Sequence, residues 1–129
     1  MLDQVQKPTR YTGGEMNTQL KPWDSAKLHF AFCFPDTYEV GMSHLGMKIL
    51  YAAMNQQPDM LCERAFMPWV DMMDLMKQEK VPLFTLESRS PLSAFDVVGF
   101  TLQYEMSYSN ILAMLELGGI PLLRENRRE

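Results

Sequence analysis

Cysteine and histidine are scarce in this chain, with two of each. Cys33 and Cys62 lie far apart, and neither has a second thiol within a few positions. A four-iron cluster needs a set of thiolates, commonly closely spaced, and a structural zinc site of the CxxC kind needs paired ones. Both are excluded, and no metal site is expected. Two lone thiols beside apparent strands fit buried cysteines in a reducing compartment, which points to a cytoplasmic protein. Charge of one sign is also thin. The net charge is −4 with no block of like charges, so the clustered Lys and Arg of a nucleic-acid-binding arm are missing. No apolar run approaches the roughly 20 residues that span a bilayer, so no membrane contact is expected. The stretch from Met1 to Arg10 lacks the apolar core of a signal peptide. There is no G-x-S-x-G nucleophile elbow and no Walker phosphate loop, so a free-standing hydrolase or kinase has no support.

What is present suits one core. The chain has 129 residues, 47% of them hydrophobic, enough for a single domain. Residues 1–26 are polar and turn-rich and read as an extended leader; residues 27–129 read as an α/β domain. Leu28–Phe34 predicts a buried strand that empties into the loop Pro35–Met42. A helix follows over about 43–57, closed by Pro58. Leu45, Ile49, Ala52 and Ala53 recur on that helix at i, i+4, i+7 and i+8 and predict its buried stripe. Next come a strand over Leu61–Phe66, a helix over Trp69–Lys80 and a short strand over Leu83–Leu86. Asp96–Leu102 is nearly continuous in apolar residues, as expected of an interior strand with helices on both faces. A last helix runs to about Leu117, with Ile111, Leu112 and Leu115 as its stripe and Gly118-Gly119 as its C-cap. Alternating strands and helices imply parallel pairing with right-handed crossovers.

Open α/β sheets bind ligands at the carboxyl ends of their strands, so Pro35–Ser43 and Gln103–Ser107 flank the expected crevice. Several residues have two readings. Asp36 either orients a ligand or shapes the turn after Pro35. His44, near a helix start, is either a local cap or a metal ligand. Gln103-Tyr104-Glu105, at a strand's carboxyl end, is the better site candidate. Gly13-Gly14-Glu15 is either a backbone anion nest or a plain turn. His29, within the first strand and with no acidic neighbour in sequence, reads as structural or surface. The twelve methionines read as core filler, with any exposed remainder available for docking.

Five stretches carry a resemblance: Lys7-Pro8-Thr9-Arg10-Tyr11-Thr12-Gly13-Gly14-Glu15 with Asn17; Phe34-Pro35-Asp36 and Tyr38-Glu39-Val40-Gly41-Met42-Ser43-His44-Leu45-Gly46; Phe66, Pro68-Trp69 and Asp71-Met72; Leu86-Glu87-Ser88-Arg89; and Phe95-Asp96-Val97-Val98-Gly99-Phe100-Thr101-Leu102-Gln103-Tyr104-Glu105. Together they resemble the N-terminal part of a family of large bacterial radical S-adenosylmethionine proteins, whose cobalamin-binding-type domain precedes a radical barrel. The resemblance implies a flavodoxin-like α/β fold, an open parallel sheet with flanking helices. It also places the first strand beside the Asp96–Leu102 strand. The fold is expected to be incomplete, its final strand and glycine-rich turn missing, so the chain reads as a truncated piece or a short reading frame. The barrel's CxxxCxxC, which holds an iron–sulfur cluster and S-adenosylmethionine, is not in this sequence. That chemistry belongs to the full-length family, and no catalytic residue is expected here.

Cobalamin is the cofactor that the resemblance implies for the domain itself. Its binding candidates are Pro35, Asp36, Tyr38, Gly41, Ser43, His44, Thr101, Gln103 and Tyr104. Methyltransferase-type loops read Asp-x-His-x-x-Gly, and the histidine ligates cobalt. Here Tyr38 stands at that position, and a phenol replaces imidazole poorly. Thr101-Leu102-Gln103 stands where such domains have Ser-x-Leu. Two function classes follow: a non-catalytic auxiliary domain that binds a cofactor such as cobalamin or shapes the active site, its loop degenerate for cobalamin, or an α/β interaction module that packs on the barrel with no ligand of its own. The partner is the remainder of the parent. A strand left without its neighbour also opens an edge to self-association.

Overall fold

The computed structural model describes residues 22–102, 105 and 107–127. Most of the leader, with its Lys7–Glu15 motif, lies outside the described residues. Strand β1 (Leu28–Phe34) lies at the centre of a three-stranded parallel sheet, with β2 (Met60–Phe66) on one side and β3 (Val97–Phe100) on the other. The register pairs Phe30 with Cys62 and with Val97, so β1 and the Asp96–Leu102 segment are parallel neighbours, as expected. Among the described residues four α-helices flank the sheet: α1 (Tyr38–Met42), α2 (Leu45–Asn55), α3 (Val70–Glu79) and α4 (Ser107–Leu117). The arrangement is α/β and consistent with a partial flavodoxin-like fold. Among the described residues no helix is long and apolar enough to cross a membrane.

The period-2 alternation of β1 splits the core into two layers. Ala31 and Cys33 face α3 and α4, packing with Leu61, Ala65, Met72, Met76, Leu83, Met114 and Leu117. Phe32 and Phe34 face α1 and α2, packing with Cys62, Phe66, Met47 and Tyr51. Small side chains on one face and phenylalanines on the other set how closely each helix layer approaches. Met47, Met72, Met76 and Met114 are among the largest fully buried side chains, so these methionines are core filler. Full burial of such a side chain contributes roughly 1.5–3 kcal/mol.

Three local expectations are corrected. The loop expected over Pro35–Met42 holds a short helix, α1, and the helix expected over about 43–57 is α2, which begins at Leu45. Ser43 is in a turn and His44 is extended (φ −88°, ψ 109°), which restarts the chain as α2. Second, the buried stripe of α2 is Met47, Tyr51 and Asn55, whereas Leu45 and Ile49 are 68% and 57% exposed. Polar bonds set that rotation. Asn55 Nδ2 donates to Cys62 O (3.0 Å) and its Oδ1 accepts from Cys62 N (3.0 Å), while Tyr51 Oη donates to Glu87 Oε1 (3.0 Å). On α4 the buried residues are likewise Ser107, Met114 and Leu117, with Leu112 exposed. Third, Leu83–Leu86 is not a strand; it makes one antiparallel bridge, Phe84 to Pro91. The C-cap at Gly118-Gly119 is as expected. Gly119 takes φ +73°, Ile120 N donates to Leu115 O and Gly119 N to Glu116 O, a Schellman closure.

The segment after α3 guards the outer edge of β2. Arg64 N donates to Glu87 Oε2 (2.9 Å), Arg64 O accepts from Leu86 N (2.8 Å), and Arg64 Nε donates to Glu87 Oε1 (2.7 Å). Asn55 satisfies both backbone groups of Cys62 in the same way. Every outward-facing group of Cys62 and Arg64 thus meets a partner without a fourth strand. Both members of the Arg64–Glu87 pair are buried, at 6% and 1% side-chain exposure. Burial pushes the Glu87 carboxyl up, and the charge and hydrogen bonds of Arg64 offset part of that. On the other face Glu63, 2% exposed, accepts from Thr85 Oγ1 (2.6 Å), Ser88 Oγ (2.6 Å) and Ser88 N (3.2 Å).

At the opposite end of the sheet, His29 ties Trp23 to β3. Its ring stacks on Trp23 at 4.0 Å, and Nε2 donates to Trp23 O at 2.7 Å. Its backbone N donates to Asp96 Oδ2 at 2.9 Å, and Asp96 N donates back to His29 O at 2.9 Å. His29 is structural, as its sequence position suggested.

Two outcomes test these contacts. Removing one member of a buried ion pair leaves the other charge uncompensated, so Glu87→Ala should cost about 3–5 kcal/mol in urea denaturation. Loss below about 1 kcal/mol would mean the pair does not hold the edge. The hydrogen bonds from His29, chiefly from its backbone N–H, hold the Asp96 carboxyl below its ordinary value of 3.8. The folded state therefore releases that proton more readily than the unfolded chain does. The stability this provides is complete above about pH 4 and is lost as pH falls through the lowered value. Asp96→Asn should flatten the acid limb of the melting temperature against pH; an unchanged limb would refute the linkage.

Candidate functional site

β1 delivers its carboxyl end into Pro35-Asp36, where the chain must turn before α1. Asp36 N donates to Phe34 O at 2.8 Å, its Oδ1 accepts from Thr37 N at 2.7 Å, and its carbonyl accepts from Met67 N at 2.8 Å. Asp36 therefore shapes the turn and ties it to the end of β2. From the other side, Asn110 Nδ2 on α4 donates to Pro35 O at 2.9 Å. Between these anchors lies a cavity of about 200 Å³ lined by Phe34, Pro35, Asp36, Val40, Ser43, His44 and Ser107. It lies at the carboxyl ends of the strands, where the sequence placed the crevice.

The candidates divide by what their side chains do. Pro35, Asp36, Ser43 and His44 are brought together around the cavity. Ser43 Oγ donates to Glu39 O at 2.9 Å, closing the turn between α1 and α2. His44 caps α2: its Nδ1 accepts from Met47 N at 3.1 Å. A backbone donor at Nδ1 places the neutral ring's proton on Nε2, so the cap leaves no imidazole lone pair for a ligand. Tyr38 is turned away, its ring edge-on to Phe66 at 5.6 Å within the α2-side core. Gly41 is also committed to that core, because a Cβ there would collide with the Phe66 ring. Neither Tyr38 nor His44 thus offers a donor that fits the axial position of cobalamin. Thr101, just past β3, has its Oγ1 buried with no hydrogen-bond partner among the described residues. Gln103 and Tyr104 lie outside the described residues.

Elsewhere, a larger cavity of about 410 Å³ lies beside β3, lined by apolar residues of β3, α4 and the 119–121 turn together with Asp96 and Arg127. Cys33 and Cys62 are both fully buried, and burial pushes the Cys33 thiol far above its usual range. It is therefore inert rather than nucleophilic. Among the described residues no group of three or more His, Cys, Asp or Glu is placed to hold a metal ion. The buried Glu63, Arg64 and Glu87 were missed as a group. Their signal was a charged pair in the middle of an otherwise apolar strand.

Against known proteins, the family described as radical SAM proteins, N-terminal, matches residues 46–129. This chain belongs to that family. The match covers α2 through the residues after α4, hence β2, β3 and the Glu87 segment. It makes this chain an N-terminal domain whose parent is a larger radical SAM protein. No curated protein and no solved structure matches the chain.

The capping role of His44 is open to measurement. His44→Ala should destabilise the radical SAM N-terminal domain by about 1 kcal/mol in chemical denaturation, and His44→Asn should recover most of the loss. Equal losses in both variants would show that the ring, not the cap, is what α2 needs.

Proposed function

We propose that this chain is a non-catalytic auxiliary domain, degenerate for cobalamin, that packs against the remainder of a radical S-adenosylmethionine protein. The observation that carries the reading is the paired commitment of Tyr38 and His44. The residue at the histidine position of the loop is built into the core, and the nearest imidazole is spent on a helix cap. The crevice supports it too. At about 200 Å³ it is smaller than the roughly 300–1,000 Å³ of sites for drug-sized ligands, and a corrinoid is larger than those ligands. Packing suits the exposed apolar side chains Val40, Leu45, Ile49 and Leu50 on α1 and α2, since such patches mark interaction surfaces. The cluster and S-adenosylmethionine are assigned to the parent's barrel, and the location to the cytoplasm of a bacterium.

A second reading has one observation in its favour. Among the described residues Thr101 Oγ1 has no partner, a buried hydroxyl that a small polar ligand at the end of β3 would satisfy. Hydroxocobalamin titration followed by visible absorption separates the readings. We expect no histidine-ligated spectrum from the wild type. Tyr38→His should give none either, because position 38 faces Phe66, and that variant should be less stable. A histidine-ligated spectrum in the wild type that vanishes in His44→Ala would overturn the proposal.

A further inference from the structure

The sheet has its switch point between β1 and β3. The helices that follow β1, α1 and α2, pack on the Phe32 and Phe34 face, while α4, which follows β3, packs on the Ala31 and Cys33 face. The two loops part above adjacent strands, and the cavity of about 200 Å³ opens there. Its polar groups are of two kinds. Ser107, the first residue of α4, is 3% exposed and lines the cavity, and its hydroxyl has no hydrogen-bond partner among the described residues. It sits at the positive end of an 11-residue helix whose first turn holds no acidic side chain. His44 adds a second donor: its Nδ1 is spent on the α2 cap, so Nε2–H is the polar edge the ring can offer. Against these donors stands the Asp36 carboxylate. Thr37 N holds its Oδ1, but among the described residues no cation pairs with it. Another buried hydroxyl lacking a partner, Thr101 Oγ1, lies at the same strand ends, where Thr101 N donates to Cys33 O at 3.2 Å.

We propose that this cavity binds a free α-amino acid with a small aliphatic side chain. A buried hydroxyl left without a partner costs stability, and an anionic acceptor is what Ser107, the α4 N-terminus and the His44 Nε2–H can all serve. A simple anion would be repelled by Asp36, because no Lys or Arg stands among the described residues of the wall to offset it. A simple cation would satisfy Asp36 and leave the donors unmet. A zwitterion answers both. Its α-carboxylate goes to Ser107 and the α4 terminus, and its α-ammonium goes to Asp36 Oδ2, the oxygen that Thr37 does not hold. Phe34, Pro35 and Val40 form the apolar wall that receives the side chain. Volume sets the size. About 200 Å³ is several times the roughly 30 Å³ a water takes up in the liquid, and below the roughly 300–1,000 Å³ of sites for drug-sized ligands. A small amino acid enters such a space, and a corrinoid or a nucleotide does not. The site is independent of the packing role proposed above, for it needs neither the parent's barrel nor cobalamin.

The test is isothermal titration calorimetry of the whole chain with L-alanine, L-valine and L-leucine. Two analogues of valine each lack one charge: isovalerate has no ammonium, and isobutylamine has no carboxylate. We expect at least one of the three amino acids to bind with a Kd of about 1 mM or tighter, and both analogues to bind about tenfold or more weakly than L-valine. Ser107→Ala and Asp36→Asn should each weaken amino-acid binding by about tenfold while leaving the far-ultraviolet circular dichroism unchanged. Asparagine keeps an acceptor for Thr37 N, so the turn after β1 survives the second change. Where Asp36→Asn nonetheless fails to fold, Ser107→Ala and the analogues decide. Failure of all three amino acids to saturate the wild type overturns the proposal. So does isovalerate binding as tightly as L-valine, which would mean a plain anion site, or wild-type affinity in Ser107→Ala.

Discussion

The buried Arg64–Glu87 pair is the contact on which the rest of this domain depends. A guanidinium and a carboxylate taken out of water cost several kcal/mol each unless their hydrogen-bonding groups are met. Here they are met by each other, by the Arg64 backbone and by Tyr51. Three successive elements are thereby fixed together: the α2 face that carries Tyr51, the β2 strand that carries Arg64, and the segment that carries Glu87. The Arg64 guanidinium also lies 4.4 Å above the Tyr51 ring and donates to Met42 Sδ, so α1 joins the same assembly. Membership in the radical SAM N-terminal family covers all of these residues except Met42, which precedes the match.

The candidate crevice inherits its shape from that assembly. Because α1 and α2 are drawn onto β2, Tyr38 and Gly41 are pressed onto Phe66 and leave the crevice to Asp36, Ser43 and His44. The geometry that packs the core thus removes the loop's central side chain from ligand reach. A tyrosine at that position serves the fold, where an imidazole would have to compete with it.

The three strands of the sheet were legible because each is largely apolar between turn signals, but the same signal also marked Leu83–Leu86, which makes only one bridge. β1 has the boundaries the sequence predicted, and its parallel pairing with β3 followed from topology. The helix faces were not legible. Periodicity counts Leu45 and Ile49 as core because they are apolar, but the rotation of α2 is set by Asn55 and Tyr51, whose bonds to Cys62 and Glu87 cannot be read from hydropathy. The break at Ser43-His44 was hidden for a similar reason. It depends on an imidazole acting as a cap, a role that Ser, Thr, Asp and Asn usually fill. In the crevice, proximity was legible for Pro35, Asp36, Ser43 and His44. The inward turn of Tyr38 was not, because it follows from a contact with Phe66, 28 residues on.

The strand-like guard on β2 has a consequence for the entropy of assembly. Its contacts are local: Thr85 to Glu63 spans 22 residues, and Glu87 to Arg64 spans 23. The contacts that place β3 are distant, with Asp96 and His29 67 residues apart. Loop-closure entropy makes the longer loop costlier by about 1 kcal/mol. Closing the β1–β2 layer and its guard therefore costs less chain entropy than docking β3.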